Sequence, residues 1–336
     1  MDKKIFTAYV LNLGMFFFSV LLLIGALIYY GISMPGESYQ GELPGLDEEM
    51  QLSRDRLSAH VYALSEEIGE RHYQQEGSLR KTADYIEKSF TDMGFNPVAE
   101  IYSDKLYRNI VVNLYGKQRR DEIIIVGAHY DTVWLSPGAD DNASGVAAML
   151  EIARGLHGKH FPKTIRFIAF ANEEWPFFGR DKMGSLVNAK NSFNRNELVS
   201  GMLALEMLGY YSKAPNSQAY PKPLSYFYPQ QANFVAFVSN FSSRNLLHEA
   251  ISEFRNADLF PSAGLIAPRF LVPDIRRSDN SSFWAYNYPA IMVTDTSNYR
   301  NRMYHTNGDM HRTLDYDAMA RVVAGLQQTV AALAAK

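Results

Sequence analysis

The longest apolar stretch of the chain lies near its amino terminus. Residues Ile5–Ile32 contain no charged side chain, and Lys3 and Lys4 precede them. A helix of about 20 apolar residues can cross a bilayer. No small-x-small cleavage site of a signal peptide is present. The pattern predicts a short tail and a single transmembrane helix in residues 1–32, with a buried hairpin of a soluble core as the alternative.

The charges around this stretch predict its orientation. No Lys or Arg lies between the apolar stretch and Arg54, whereas several acidic residues occupy that interval: Glu37, Glu42, Asp47, Glu48 and Glu49. Positive flanking residues stay preferentially in the cytoplasm. We therefore expect a cytoplasmic amino terminus and a domain on the other side of the membrane, either periplasmic or extracellular.

Beyond the apolar stretch, residues 33–52 contain two Pro-Gly pairs and read as a polar linker. From residue 53 to 336, helical and strand periodicities alternate. The predicted strands are Pro97–Ile101, Tyr107–Tyr115, Asp121–Ala128, Thr164–Ala171, Leu203–Leu208 and Ala290–Thr294. The predicted helices are Arg54–Glu70, Ser78–Met93, Val146–Leu156 and Tyr316–Ala335. This alternation predicts a three-layer α/β/α sandwich around a mixed, mainly parallel sheet.

The segment Gly209–Asn280 interrupts that alternation and is rich in Pro, Tyr and Phe. It predicts an irregular insertion, with one strand at Phe234–Val238 and one helix at Arg244–Phe254. Such an insertion is a usual place for a substrate pocket or lid. The aromatic residues that could line the pocket are Tyr210, Tyr211, Phe227, Trp284 and Tyr286.

Composition narrows the possible functions. The 336 residues are 47% hydrophobic, which is typical of a globular protein, and the formal net charge of −3 gives no indication of a nucleic-acid partner. The chain has no cysteine, so disulfides, thiolate nucleophiles and cysteine-ligated zinc are excluded. The G-x-S-x-G sequence of serine hydrolases, the P-loop and the dinucleotide-binding fingerprint are also missing.

Metal-ligating side chains follow several of the predicted strands. The strand Asp121–Ala128 leads directly to His129 and Asp131, and a Pro-Gly turn then precedes Asp140 and Asp141. Other strands lead to Glu173, Glu174, Glu206 and His305. The carboxyl ends of parallel strands lie at one edge of the sheet, where α/β enzymes build their sites. Imidazole together with carboxylate favours zinc over calcium or magnesium.

These residues form motifs that resemble those of a known family. The order GAHYD, PGADDNASG, FANEE, LEMLGY and YHT is similar to that of the co-catalytic zinc exopeptidases. That family includes bacterial leucyl aminopeptidases, aminopeptidase Y and glutamate carboxypeptidase II. The resemblance extends from about residue 55 to the end and implies a zinc-exopeptidase fold with two zinc ions per chain.

The resemblance assigns roles residue by residue. It implies five zinc ligands: His129, Asp141, Glu174, Glu206 and His305. Asp141 would bridge the two ions and precede a non-proline cis peptide, Glu173 would be the general base for a zinc-bridging hydroxide, and Tyr304 would donate to the oxyanion. Asp131 is expected to accept the second imidazole N–H of His129. The family usually has Asp where this chain has Glu206.

The implied function is that of a membrane-anchored zinc exopeptidase acting on peptides, with an aminopeptidase as the first expectation. A mono-zinc glutaminyl cyclase and a non-catalytic binding domain, as in the transferrin receptor, are the alternatives. The intact ligand set favours the hydrolase. A carboxypeptidase would need a cation for the substrate carboxylate; Arg276 and Arg277 are candidates, although a surface pair is the preferred interpretation. Side-chain preference and oligomeric state stay open.

Overall fold

The computed structural model describes residues 3–103 and 107–336, with side chains in the first helix described from Leu11 onward. Eight strands in this part of the chain form one sheet, in the order β1-β2-β4-β3-β5-β8-β6-β7. Their bounds are β1 Val98–Tyr102, β2 Tyr107–Leu114, β3 Arg119–His129, β4 Lys163–Phe170, β5 Leu198–Glu206, β6 Val235–Ser239, β7 Ser262–Ile266 and β8 Ala290–Thr294.

The centre of the sheet is parallel and its flanks are mixed. Strands β4, β3, β5 and β8 all run in one direction, whereas β2 is antiparallel to β4 and β6 is antiparallel to β8. The central strands are buried on both faces, which explains the nearly continuous apolar run Ile123–Val126 in β3. The prediction of a mixed, mainly parallel sheet is confirmed.

Helices cover both faces of the sheet. Their bounds are α1 Lys3–Ile32, α2 Glu48–Tyr62, α3 Glu76–Asp92, α4 Gly145–Leu156, α5 Gly184–Asn194, α6 Arg244–Ala257, α7 Asn280–Trp284 and α8 Tyr316–Ala335. Helices α2, α3, α4, α6 and α8 share the larger hydrophobic core on one face, and α5 and α7 pack on the other. The three-layer α/β/α architecture is therefore confirmed.

The predicted insertion is more regular than expected. Residues 209–280 contain β6 and α6 close to the predicted positions, and they also contain β7, which pairs with β6 as the edge strand. The description of this segment as irregular is therefore wrong in part. Its five-residue strand Ser-Ala-Gly-Leu-Ile is short and contains a glycine, so no clear period-2 pattern distinguishes it from a loop.

The first part of the predicted polar linker, residues 33–52, contacts the domain. The Ser38 hydroxyl accepts a hydrogen bond from the Ser262 N–H at 2.9 Å, and the Arg255 guanidinium donates to the carbonyls of Pro35 and Gly36. This segment runs along the outer side of β7. Helix α2, which was predicted to begin at Arg54, starts at Glu48.

Two helices are long and apolar enough to span a membrane, and they differ in burial. In α1, residues Leu11–Ile32 have a mean hydropathy of 2.4, and within this stretch only Gly31, near its end, is buried against the rest of the protein. The second, α8, is 67% buried and belongs to the core. Helix α1 is thus the candidate transmembrane span, in agreement with the prediction from the sequence.

Candidate metal centre

The candidate metal ligands meet at one edge of the sheet. His129 is the last residue of β3 and Glu206 is the last residue of β5. Glu174 follows the end of β4, and His305 follows β8 after a loop. Because β3, β4, β5 and β8 are parallel, their carboxyl ends bring these side chains together. The structure places all five predicted ligands at this metal edge.

The ligands form two groups that share Asp141. In the first, His129 Nε2 lies 3.3 Å from Asp141 Oδ1 and 3.4 Å from Glu206 Oε2. In the second, His305 Nε2 lies 3.0 Å from Asp141 Oδ2 and 3.3 Å from Glu174 Oε1. The ligand atoms of each group lie within 4.8 Å of one another, which is close enough for one metal ion per group.

The donor set fits zinc. Asp141 is 3% exposed, and its Oδ1 has no hydrogen-bond partner among the described residues. A buried carboxylate oxygen without a partner is costly unless a cation compensates its charge. Each group offers one imidazole nitrogen and carboxylate oxygens, which are common zinc ligands. Asp141 also has one oxygen facing each imidazole, as a bridging ligand requires.

The main chain around Asp141 is held by side chains from distant parts of the sequence. The Asp309 carboxylate accepts hydrogen bonds from the N–H groups of Asp140 and Asp141, at 2.8 and 3.0 Å. Asp140 itself points away from the ligands and accepts from the Gly209 N–H and the Asn301 amide. The peptide between Asp141 and the following residue is cis, as the resemblance implies.

Arg71 holds the loop between His129 and Asp141 through hydrogen bonds to its main chain. Its guanidinium is fully buried and donates to five main-chain carbonyls, those of Leu64, Gly69, Tyr130, Pro137 and Gly138. Burial lowers the pKa of Arg71 to about 10, although the acidic residues of the site oppose this change. The sequence analysis did not identify this residue, because a single arginine in a connection between two helices carries no motif.

Asp131 connects the first histidine to the two glutamates. Its carboxylate accepts hydrogen bonds from the N–H groups of Glu173 and Glu174, at 2.9 and 3.0 Å. His129 Nδ1 lies 3.2 Å from the main-chain carbonyl of Asp131 and 3.5 Å from its carboxylate. The closer acceptor for the imidazole is therefore the main-chain carbonyl of Asp131. Either acceptor leaves Nε2 free for the metal.

The two adjacent glutamates are both buried at the metal edge. Burial raises the pKa of the Glu173 carboxyl well above its usual value, and the negative charge of Glu174 adds to this against the lowering effect of His129. Burial and the charge of Asp141 also raise the pKa of Glu174 to about 7, against the lowering effect of His305. Glu173 belongs to neither ligand group, so it remains available to exchange protons.

Residues around Glu206 were also missed by the sequence analysis. The Ser278 hydroxyl donates a hydrogen bond to Glu206 Oε2 at 2.7 Å. This bond fixes the glutamate side chain, which is longer than the aspartate usual at this position. The neighbouring Asp279 is fully buried, and burial raises the pKa of its carboxyl to about 7. An Arg-Ser-Asp sequence has no signature of its own, and only the fold brings it beside β5.

Tyr304 and Arg277 lie together beside His305. The Tyr304 ring stacks on the His305 imidazole, with ring centres 3.7 Å apart, and its hydroxyl accepts a hydrogen bond from Arg277 at 3.2 Å. Arg276 and Arg277 are both exposed, in agreement with their interpretation as a surface pair. Arg277 also contacts Tyr304 and lines the adjacent pocket.

An apolar pocket adjoins the metal edge at Glu206 and Tyr304. Strands β6, β7 and β8 form one wall through residues such as Val238, Leu265 and Met292. The aromatic residues that line it are Tyr220, Tyr228, Phe234, Tyr299 and Tyr304. The prediction of Tyr210, Tyr211, Phe227, Trp284 and Tyr286 as the lining is wrong, since none of these residues lines the pocket.

Three residues at the metal edge have left-handed main-chain conformations. Asn172 precedes the two glutamates with φ of 58°, Met207 follows Glu206 with φ of 50°, and His305 itself has φ of 58°. Non-glycine residues in this region cost about 1–3 kcal/mol each and persist only where surrounding contacts hold them. The local strain at three separate segments is typical of a functional site.

Sequence comparison identifies relatives of the chain. Residues 109–330 match peptidase family M28. YfbL, an uncharacterised protein of Escherichia coli K12, is 39% identical over 290 residues, which cover 82% of this chain and 86% of YfbL. Aminopeptidase YwaD of Bacillus subtilis is 37% identical over 128 residues, which cover 38% of this chain and 25% of YwaD.

Solved structures share the fold at low identity. LapA of Legionella pneumophila has a TM-score of 0.69 at 18% identity, covering 88% of this chain and 79% of LapA. BSAP, a zinc aminopeptidase from Bacillus subtilis, has a TM-score of 0.63 at 15% identity, covering 86% and 96%. A glutaminyl cyclase of Bacteroides thetaiotaomicron has a TM-score of 0.61 at 16% identity, covering 88% and 99%. From the family match and the ligand geometry together, we conclude that the chain is a metallopeptidase and belongs to peptidase family M28.

Proposed function

We propose that the protein is a membrane-anchored zinc aminopeptidase that removes amino-terminal residues from peptides. The observation that carries the proposal is the position of Asp141 between two imidazoles, with Glu174, Glu206 and the free carboxyl of Glu173 around it. Two metal ions sharing one carboxylate, with a separate carboxylate for proton transfer, are a common arrangement for hydrolysing an amide bond.

Each ligand group would hold one zinc ion. His129, Asp141 and Glu206 form the first site, and Asp141, Glu174 and His305 form the second. Bound zinc supplies Lewis acidity, which acidifies water and polarises a carbonyl group. Glu206 replaces the usual aspartate of the family, and its bond from Ser278 supports the proposal that it serves as a ligand here.

Side chains of the protein would transfer the proton and stabilise the negative charge of the reaction. Glu173 takes a proton from the attacking water and returns it to the leaving amine, a role that suits a buried carboxyl with a raised pKa. Asp131 holds the main chain of Glu173 in place. Tyr304 donates its hydroxyl hydrogen to the oxyanion that develops at the scissile carbonyl, and Arg277 positions that hydroxyl by donating a hydrogen bond to it.

An aminopeptidase is favoured by the relatives and by the pocket. YwaD, BSAP and the Legionella LapA are all named aminopeptidases. The apolar pocket beside Glu206 is suited to an uncharged side chain at the substrate's first position. The carboxypeptidase alternative would use Arg277, whose guanidinium already contacts Tyr304 and pairs with Asp274 at 3.6 Å.

The proposed location follows from α1 and the charges beside it. The helix is long enough to cross a bilayer, and Lys3 and Lys4 lie at its amino end. Positive residues favour the cytoplasm, so the peptidase domain would lie outside it and meet peptides there.

The experiment measures metal content and hydrolysis together, on the full chain in lipid nanodiscs. Glu173→Ala is compared with Glu249→Ala, an exposed glutamate on α6 that serves as the matched control. The panel contains aminoacyl reporters, carboxy-terminal reporters and a peptide with amino-terminal glutamine. We expect about two zinc ions per chain, and hydrolysis of aminoacyl reporters that chelator and Glu173→Ala both abolish.

Other outcomes would identify the alternatives. One zinc ion with cyclisation of the glutamine peptide would indicate a glutaminyl cyclase. Hydrolysis only of carboxy-terminal reporters would indicate a carboxypeptidase. A chain without metal and without turnover would contradict both enzymatic functions and leave a binding domain on this fold.

A further inference from the structure

The end of α1 packs against the carboxyl ends of β6 and β7. A Cβ atom on Gly31 would lie 2.5 Å from the carbonyl oxygen of Ile266, so the helix approaches the last residue of β7 as closely as a glycine permits. The Tyr30 ring lies 5.9 Å from the ring of Phe241, which follows β6. The domain is thus in direct contact with its candidate membrane helix.

This contact lies at the end of the sheet opposite the metal edge. Strand β6 is antiparallel to β8 and parallel to β7, so the carboxyl ends of β6 and β7 lie beside the amino ends of the central strands. Strand β5, from Leu198 to Glu206, spans nine residues, or about 30 Å. Glu206 and the other ligands therefore lie far from the end of α1.

Exposed apolar side chains surround the point of contact. Phe270 and Leu271 are 78% and 67% exposed, and they follow Ile266 by four and five residues. Four residues span at most about 14 Å, so the Phe270 main chain lies within that distance of the end of β7. Tyr29, Tyr30 and Phe241, at the contact between α1 and the domain, are also exposed. We call Tyr29, Tyr30, Phe241, Phe270 and Leu271 the seating surface.

Positive charges accompany these side chains. The Arg244 guanidinium lies 4.2 Å from the centre of the Tyr30 ring, and Arg269 is exposed directly before Phe270. Aromatic rings with neighbouring arginines are characteristic of the zone where a protein meets lipid headgroups, since the rings tolerate both phases and the cations pair with phosphate. The seating surface therefore matches a lipid surface in polarity as well as in position.

We propose that the seating surface lies in the headgroup region of the bilayer that α1 spans. This inference rests on the proposed membrane anchoring, and it adds a second contact between the protein and the lipid. The contacts of Ser38 with Ser262 and of Arg255 with Pro35 leave no free tether between α1 and the domain. The domain is thus held in one orientation, with β6 and β7 ending at the lipid and the metal edge facing the water.

The absence of cysteine allows the proposal to be tested with single spin labels on the full chain in phosphatidylcholine nanodiscs. Phe270→Cys and Leu271→Cys report on the seating surface, and Leu22→Cys reports on the anchor. The matched control is Ile101→Cys, which is 56% exposed. Ile101 lies on β1, the outermost strand on the other side of the sheet, seven strand spacings or about 34 Å from β7. Collision rates with lipid-soluble oxygen and with a water-soluble nickel complex are measured for each label.

We expect the ratio of oxygen to nickel collisions at Phe270 and Leu271 to exceed that at Ile101 several-fold, and the ratio at Leu22 to be the highest. Equal ratios at the seating surface and at Ile101, with a high ratio at Leu22, would overturn the proposal and leave the anchor intact. A low ratio at Leu22 would contradict both the anchor and the seating surface. Hydrolysis of aminoacyl reporters in the same samples tests the enzymatic proposal separately and verifies that each labelled chain is folded.

Discussion

The metal edge and the β6–β7 side of the sheet are built in different ways. At the metal edge, strand ends and buried side chains such as Asp131 and Asp309 hold each ligand through the main chain. The β6–β7 side offers short strands, long loops and an apolar cavity with few polar atoms. The comparison suggests that the metal edge determines the reaction and the pocket on the β6–β7 side determines which substrate is bound. Substrate preference could then change while the metal edge stays the same.

The largest effect is expected at the residue that both ligand groups share. Asp141→Ala removes a ligand from each site, and we expect loss of both zinc ions and a fall in hydrolysis of about 10⁴-fold or more. Elemental analysis and reporter hydrolysis measure the two effects. Glu206→Ala, which affects one group only, serves for comparison and should retain some metal. Full zinc content in Asp141→Ala would disprove the bridging role.

Removing the proposed base should separate metal binding from catalysis. Glu173→Gln keeps the size of the side chain and lies outside both ligand groups. We expect unchanged zinc content and a decrease in kcat of about 10³-fold, because proton transfer by a positioned carboxylate contributes that much. A variant that loses zinc as well would show that Glu173 supports the ligands rather than the reaction.

A change in the pocket should affect substrate choice and spare the metal edge. Val238→Phe narrows the cavity formed by β6, β7 and β8. We expect kcat/KM for reporters with large apolar side chains to fall about 10–100-fold, while reporters with alanine change little. Val238→Ala, which enlarges the cavity, is the matched control. An equal loss for large and small reporters would contradict the separation of substrate choice from chemistry.

The last effect is expected away from both regions, in the packing of α2, and it concerns stability and not activity. Burial lowers the pKa of His60 to about 4, despite the raising effect of Glu151. The unfolded chain therefore binds more protons between about pH 6.5 and pH 4, and the free energy of unfolding decreases as the pH falls through this range, by on the order of 3 kcal/mol.

Denaturant unfolding at several pH values tests this prediction. His60→Gln should flatten the pH dependence, whatever the variant loses from the hydrogen bond between His60 and Tyr85. The comparison is therefore made between slopes and not between absolute stabilities. An unchanged slope would assign the pH dependence to other groups.

The metal edge could be predicted from the sequence to a large extent. His129, Glu206 and the two glutamates follow apolar runs that are recognisable as buried strands, and parallel strands must end together. The supporting residues could not be predicted in this way. Arg71, Asp309 and Ser278 act across large sequence separations and belong to common residue types, so only the fold reveals their contacts.

The β6–β7 side was predicted less well, for a physical reason. Strand β7 has five residues with a central glycine, so its sequence pattern resembles that of a loop. The pocket aromatics were also misidentified, since a tyrosine such as Tyr211 packs edge-to-face against Phe260 instead of lining the cavity. Short elements depend on tertiary contacts for their position, and a linear pattern contains little information about those contacts.

The segment that follows α1 has a consequence for the solubility of the domain. Residues 33–38 run beside β7, the edge strand of the sheet, through Ser38 and through Met34, which packs close to Gly264. An uncovered edge strand presents main-chain groups that pair readily with another chain. Proteolytic release of the domain beyond residue 38 would therefore produce a form prone to self-association, and a freely soluble enzyme would have to retain this segment.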